Sequence, residues 1–166
     1  RMTARQNADG TLAYVMENYL VEAAAGYTYS TLNLDAAVAR DNIIYTFHNY
    51  DPFTFTHQGF SWSGIPLGAT FAYPSPEAES IFALFSSVRA WSDTHDKPVF
   101  LGEFGVSWFA DAASRCNYIR CLTDACDSLR FPWLYWDVKH ADDAFGIFRG
   151  GAVRADSLIH CFRDAM

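Results

Sequence analysis

The sequence predicts an α/β fold in which parallel strands alternate with helices along one chain. Three observations carry that expectation. "NIIYTFH" at 42–48, "PVFL" at 98–101 and "PWLYWDV" at 132–138 are short β-branched and aromatic runs, each read as a strand. Residues 76 to about 93 and about 112 to 129 carry helical patterning between them. The resulting order of strand, helix, strand, helix, strand, helix is one that right-handed crossovers turn into a parallel sheet.

The N-terminal stretch fits two patterns. Leu12, Val15, Met16, Tyr19 and Leu20 share one helical face, and periodicity favours a helix through Leu20. "YLVEAAAGY" at 19–27 also suits a strand running into a glycine turn. The strand at 42–48 comes next, followed by a loop rich in Pro, Gly and Ser from Asp51 to about Ser75. Ordered loops of that length are usually functional. Ser75-Pro76-Glu77 opens a helix, with Ser75 as N-cap and Pro76 at the first helical position. Ile81, Leu84, Phe85, Val88 and Trp91 form its apolar stripe, and it ends near Asp93. The strand Pro98 to Leu101 stops at Gly102 and presents Glu103 at its tip. In the helix from about Ala112 to Leu129, Ile119, Leu122 and Cys126 lie on one side. The strand at 132–138 leads into a turn with "FGIFRGG", and a short helix from about Asp156 to Arg163 closes the chain.

A length of 166 residues suffices for one domain with a real core. The net charge of -7 argues against a nucleic-acid partner, which needs clustered Lys and Arg. No run of eighteen apolar residues occurs, so no transmembrane helix and no membrane partner are expected. No signal peptide is visible; residues 1–18 are read as an N-terminal extension or tag remnant and 19–166 as the domain. Cys116, Cys121 and Cys126 are five apart, which turns a helix by about 500° and points the thiols three ways. That spacing does not suit zinc, and neither metal nor cofactor is expected. A disulfide from Cys161 to one of them stays open, with buried free thiols the expected state.

Polar and aromatic residues gather where the strands end: His48-Asn49-Tyr50, then Glu103, then Trp136-Asp137. In parallel α/β architectures the C-terminal strand edge is where sites form. A carboxylate beside a Tyr and a His, walled by Trp, suits sugar chemistry. The carboxylate attacks or stabilises an anomeric carbon, Tyr and His hold it in register, and an indole face stacks on a pyranose ring. Each residue has a structural alternative. Glu103 could pair with Lys97 or an Arg, His48 could bond backbone, and Tyr50 and Trp136 could be ordinary packing. Trp62 and Trp108 suit cleft wall or core equally, and Asp142-Asp143 suits a solvated turn.

Three segments, "NIIYTFHNYDPFTFTHQGFSW" at 42–62, "KPVFLGEFGV" at 97–106 and "WLYWDV" plus "FGIF" at 133–148, resemble glycoside hydrolase family 5, the cellulase-type enzymes. The resemblance covers about residues 20–165 and aligns with strands five to eight of that family's barrel. It implies a half (β/α)8 barrel of four parallel strands, each followed by a helix, and favours a strand at about Tyr19 to Ala25. It implies Glu103 as nucleophile, His48 and Tyr50 as its strand-end partners, and Trp136 as the wall of the central sugar subsite. His57, Gln58 and Trp62 then become substrate contacts, with Trp108 as a further aromatic candidate. The implied activity is hydrolysis of β-1,4 bonds in a β-glucan polysaccharide by a secreted, retaining enzyme. The family's acid/base Glu follows an Asn on strand four. Glu17-Asn18 has the reverse order, so one half-barrel supplies one of two carboxyls. Open sheet edges and the missing acid imply a homo-oligomer, most simply a dimer, that completes the barrel.

Overall fold

The structure, a computed structural model, describes residues 2–6, 12–16, 19–22, 43–137, 145–149, 152–153 and 161–162. Its centre is a parallel sheet of β3 (Tyr19–Glu22), β4 (Ile43–His48) and β5 (Val99–Glu103), in the order β3-β4-β5. β4 pairs with β3 from Tyr19↔Ile43 to Glu22↔Thr46 and with β5 from Tyr45↔Val99 to Phe47↔Leu101. The strand expected at Tyr19 to Ala25 is therefore present as Tyr19–Glu22. Of the strand expected at 132–138, residues 132–137 are described and continue the sheet beyond β5 only as an isolated parallel bridge, Leu101↔Trp133. Pro132 O accepts from Leu101 N at 2.9 Å and Leu134 N donates to Leu101 O at 2.9 Å. Four parallel segments thus lie side by side, as in half of a (β/α)8 barrel.

Helix α1 (Phe53–Thr56) is a single turn after β4. Helix α2 (Pro76–His95) starts where expected: Ser75 Oγ accepts from Ala78 N at 3.1 Å, and Pro76 needs no donor there. It runs two residues past Asp93 before Asp96 turns it off in the left-handed region at φ 52°. Helix α3 (Ala112–Leu129) begins on Asp111, whose carboxylate accepts from Ser114 N at 2.9 Å. These two helices pack on one face of the sheet. Tyr45 and Phe47 point to that face from β4, Val99 and Leu101 from β5, and all four are buried. Phe47 meets the edges of Phe85 at 5.0 Å and Phe131 at 5.4 Å, and Tyr45 meets Trp91 at 5.0 Å. Each such side chain contributes about 1.5–3 kcal/mol by leaving water.

The helical pattern over Leu12 to Leu20 is overturned. Residues 2–6 and 12–16 form an antiparallel pair, β1 (Met2–Gln6) and β2 (Leu12–Met16), in the register Met2↔Met16 to Gln6↔Leu12. A partner strand supplies hydrogen bonds that single-segment periodicity does not register, and Asp9-Gly10 between them is a hairpin signal. The turn expected around 145–151 is a small antiparallel pair, β6 (Phe148–Arg149) with β7 (Ala152–Val153). Of the closing helix, Cys161 and Phe162 are described and helical. The rest of it, the helix expected after β3, and Asp142-Asp143 lie outside the described residues.

Cysteine is the clearest departure from expectation. Cys116 of α3 is disulfide-bonded to Cys161, 45 residues on, while Cys121 and Cys126 are free and buried. Burial pushes both free thiols up to about 12, so neither is a nucleophile at neutral pH.

Candidate active site

The site forms where β4 and β5 end. Their pairing slips between Phe47 and His48, so that His48 stands opposite Glu103 and Gly102 is skipped. The slip is a bulge, and bulges commonly re-aim side chains beside active sites. Gly102 must be glycine: a Cβ there would run into Thr46 Oγ1 and lie 3.3 Å from His48 Nε2. The bulge is locked beyond the strand by Asn49 N donating to Glu103 O at 3.0 Å.

Glu103 is held through one oxygen. Tyr50 Oη donates to its Oε2 at 3.1 Å, and His48 Nδ1 lies 3.4 Å from the same atom. The His48 side chain is 5% exposed and that of Glu103 is 23% exposed, so the carboxylate is anchored at its root and open at its tip. Oε1 takes no hydrogen bond among the described residues. Among the described residues the ion-pair partner of Glu103 is His48, not Lys97 or an Arg. Asn49 is buried, and its carbonyl accepts from the buried Tyr118 hydroxyl at 3.1 Å. Tyr118 thereby braces the strand end from α3, and burial raises its phenol well above the usual range.

Tyr50 packs with two other rings. His57 packs against it at 5.3 Å and Phe145 at 5.6 Å. His57 is itself buried, stacked on Phe53 at 3.8 Å, with Thr56 Oγ1 2.8 Å from its Nδ1. Burial lowers its pKa to about 4, because charging an imidazole among rings loses hydration.

The remaining predicted contacts separate. Trp62 touches the His57 edge at 5.4 Å and is 66% exposed, which leaves an indole face open beside the cluster. Trp136 is exposed, and its backbone N–H donates to Phe104 O at 2.8 Å next to Glu103. Trp108 stacks on Phe109 at 4.5 Å and joins the cluster at one remove, since Phe109 meets Phe60 at 6.5 Å. Gln58 departs from its expected role. It is buried, its Nε2 donates to Phe55 O and Ala69 O at 3.0 and 2.9 Å, and its Oε1 accepts from Gly68 N at 2.9 Å. Both amide hydrogens are used, so Gln58 staples the 53–69 loop and has no donor left for a sugar.

Sequence reasoning missed Thr56, Tyr118 and Phe145. Thr56 Oγ1 donates to Tyr50 O at 2.5 Å, and its O accepts from Ser107 N at 2.8 Å, tying the loops after β4 and β5. Nothing local marks Tyr118 or Phe145, whose partners are distant in sequence. Among the described residues no group of three or more His, Cys, Asp or Glu could hold a metal ion. No described helix is long and apolar enough to cross a membrane.

A parallel α/β half-barrel with an anchored, solvent-facing carboxylate and exposed indoles at its strand ends defines the class. The cellulase model of glycosyl hydrolase family 5 matches residues 10–142. Endoglucanase 3 of Fibrobacter succinogenes is 28% identical over 68% of this chain and 22% of its own length. Endoglucanase H of Acetivibrio thermocellus is 35% identical over 57% of this chain and 10% of its own length. A hyperthermophilic endo-β-1,4-glucanase solved in complex with substrate superposes with a TM-score of 0.73 at 30% identity. That likeness covers 83% of this chain and 45% of the glucanase chain. The chain belongs to glycosyl hydrolase family 5. It spans less than half the length of the relatives and solved chains described here.

Proposed function

We propose that this chain carries the nucleophile half of a retaining β-1,4-glucan hydrolase, with Glu103 as the nucleophile. The observation that supports it is the asymmetric hold on the carboxylate: Tyr50 donates to Oε2, with His48 Nδ1 3.4 Å from the same atom, while Oε1 takes no hydrogen bond among the described residues. Oε1 attacks the anomeric carbon, the bond to the leaving oxygen breaks with its electron pair, and a glycosyl ester forms. Water then cleaves the ester. Tyr50 keeps the carboxylate oriented. Trp136 and Trp62 offer exposed indole faces on which successive pyranose rings stack.

Retaining hydrolysis needs a second carboxyl about 5–5.5 Å from the first. We assign that group to a second half-barrel, most simply another copy of this chain, paired across the open sheet edges. A dimer by gel filtration and light scattering supports this; a soluble monomer sinks it. The Cys116–Cys161 disulfide supports a secreted protein, since such bonds persist in oxidising compartments.

Sugar binding without turnover is the second reading, favoured by the exposed indoles of Trp62 and Trp136. Release of reducing sugar from soluble cellulose, measured for wild type and Glu103→Gln, decides. Turnover by wild type that the substitution abolishes supports the hydrolase. Turnover that survives it overturns Glu103 as nucleophile. No turnover, with cello-oligosaccharides still quenching Trp fluorescence, favours the binding reading.

A further inference from the structure

We propose that Phe145, in the loop beyond the fourth strand segment, is a positioning residue that keeps the Tyr50 hydroxyl on Glu103. The proposal rests on Glu103 being the nucleophile. Phe145 is buried, although it comes from a loop rather than from the sheet or its helices. Two hydrogen bonds to the 132–137 segment hold it there. Tyr135 Oη donates to Phe145 O at 3.0 Å, and Ile147 N donates to Asp137 Oδ2 at 3.0 Å. Tyr135 and Asp137 flank Trp136, so the segment that presents one sugar-facing indole also delivers this ring.

The ring lies against Tyr50 and the aromatic cluster around it. Its centroid is 5.6 Å from Tyr50, 5.2 Å from His57 and 5.0 Å from Phe60. Space has been left for it two residues beyond Glu103: a Cβ on Gly105 would lie 3.0 Å from Phe145 Cδ1. His57, 5.3 Å from Tyr50 and 5.2 Å from Phe145, completes a cluster of three mutually packed rings.

That packing matters because the bond it protects is one contact of 3.1 Å to a side chain that is 23% exposed. Water competes for both partners, and an unrestrained Tyr rotor gains entropy by leaving. Losing Phe145 removes one wall. Tyr50 then swings, and Oε2 loses the donor that fixes which oxygen attacks.

The experiment isolates the nucleophilic step. With 2,4-dinitrophenyl 2-deoxy-2-fluoro-β-cellobioside, a carboxylate oxygen bonds to the anomeric carbon and dinitrophenolate departs with the electron pair, so no acid is needed. The ester is counted by mass spectrometry. Phe145→Ala should slow labelling by about tenfold, the lower end of what a hydrogen bond to a charged group gives. Tyr50→Phe should slow it similarly, and the double variant should be no slower than the worse single. Phe145→Leu keeps the volume without the flat face, guards against a folding failure, and should lose about threefold in the Tyr50 background only. Wild-type labelling rates in both Phe145 variants, or losses that multiply with Tyr50→Phe, overturn the proposal. A crystal structure of Phe145→Ala adds a test that needs no activity: Tyr50 Oη should move beyond about 3.5 Å of Glu103. If it stays bonded, the proposal fails. If wild type is never labelled, the nucleophile assignment fails, and the Tyr50 position alone still decides the role of Phe145.

Discussion

Removing the Cys116–Cys161 bond should cost this protein several kilocalories. The bond closes a stretch of 45 residues that spans the site-bearing segment at 133–137. On the chain-entropy model, opening a loop of that size releases about 13 cal/mol/K to the unfolded state, or about 4 kcal/mol at 25 °C. For a chain of this length that lowers the melting temperature by about 8–16 °C. A packing effect is added at the folded end. Phe162, next to Cys161, stacks on Trp133 at 5.9 Å and meets the Tyr135 edge at 5.2 Å. The bond therefore also pins the cover over the fourth strand segment. Thermal unfolding of wild type with and without a reductant, beside Cys116→Ala/Cys161→Ala, reads the effect. Thiol titration provides the check: in denaturant without reductant, Cys121 and Cys126 should react and the bonded pair should not. A melting shift under about 2 °C on reduction would refute the loop-entropy argument. Four reactive thiols without reductant would refute the bond.

Acid should weaken the fold through His57. Its folded pKa of about 4 lies below the ordinary 6.5, so below pH 6.5 the unfolded chain binds a proton that the folded one refuses. Stability from this group is fully present above pH 6.5 and falls toward pH 4, by on the order of 3 kcal/mol. Urea midpoints from pH 7 to pH 4 should show that slope in wild type and a flatter one in His57→Phe; equal slopes contradict it. Gln58→Ala should lower stability by about 2–4 kcal/mol, since it removes a buried side chain together with its three hydrogen bonds to Phe55 O, Ala69 O and Gly68 N. Its KM for soluble cellulose at a permissive temperature should stay within about twofold; a tenfold rise, about 1.4 kcal/mol of binding, would restore Gln58 as a sugar contact.

Features whose causes lie within a few residues were legible. Ser75-Pro76 starts its helix by a bond to a group three residues away. The alternation in Ile43–His48 marks a strand, and Gly102-Glu103 marks a strand end built around a carboxylate. Glu103, His48 and Tyr50 were placed together because the C-terminal strand edge is where parallel sheets gather loops. Legibility failed where a distant partner decided. The β2 strand owes its form to β1, and residues 132–137 are held to the sheet by backbone bonds with Leu101 of β5 and Phe104 O. Gln58 looks like a sugar contact until the carbonyls of Phe55 and Ala69 are seen taking its amide.

Local propensity, caps and strand-end chemistry were set by the chain alone: an alternating α/β architecture with one carboxylate aimed out of its edge. Folding in three dimensions decided which cysteine closes on Cys161, which oxygen of Glu103 is held, and which ring steadies Tyr50. The division has one cause. Backbone preferences act over a few residues, whereas a disulfide, a bulge register or an aromatic cluster depends on atoms that only packing brings within bonding distance.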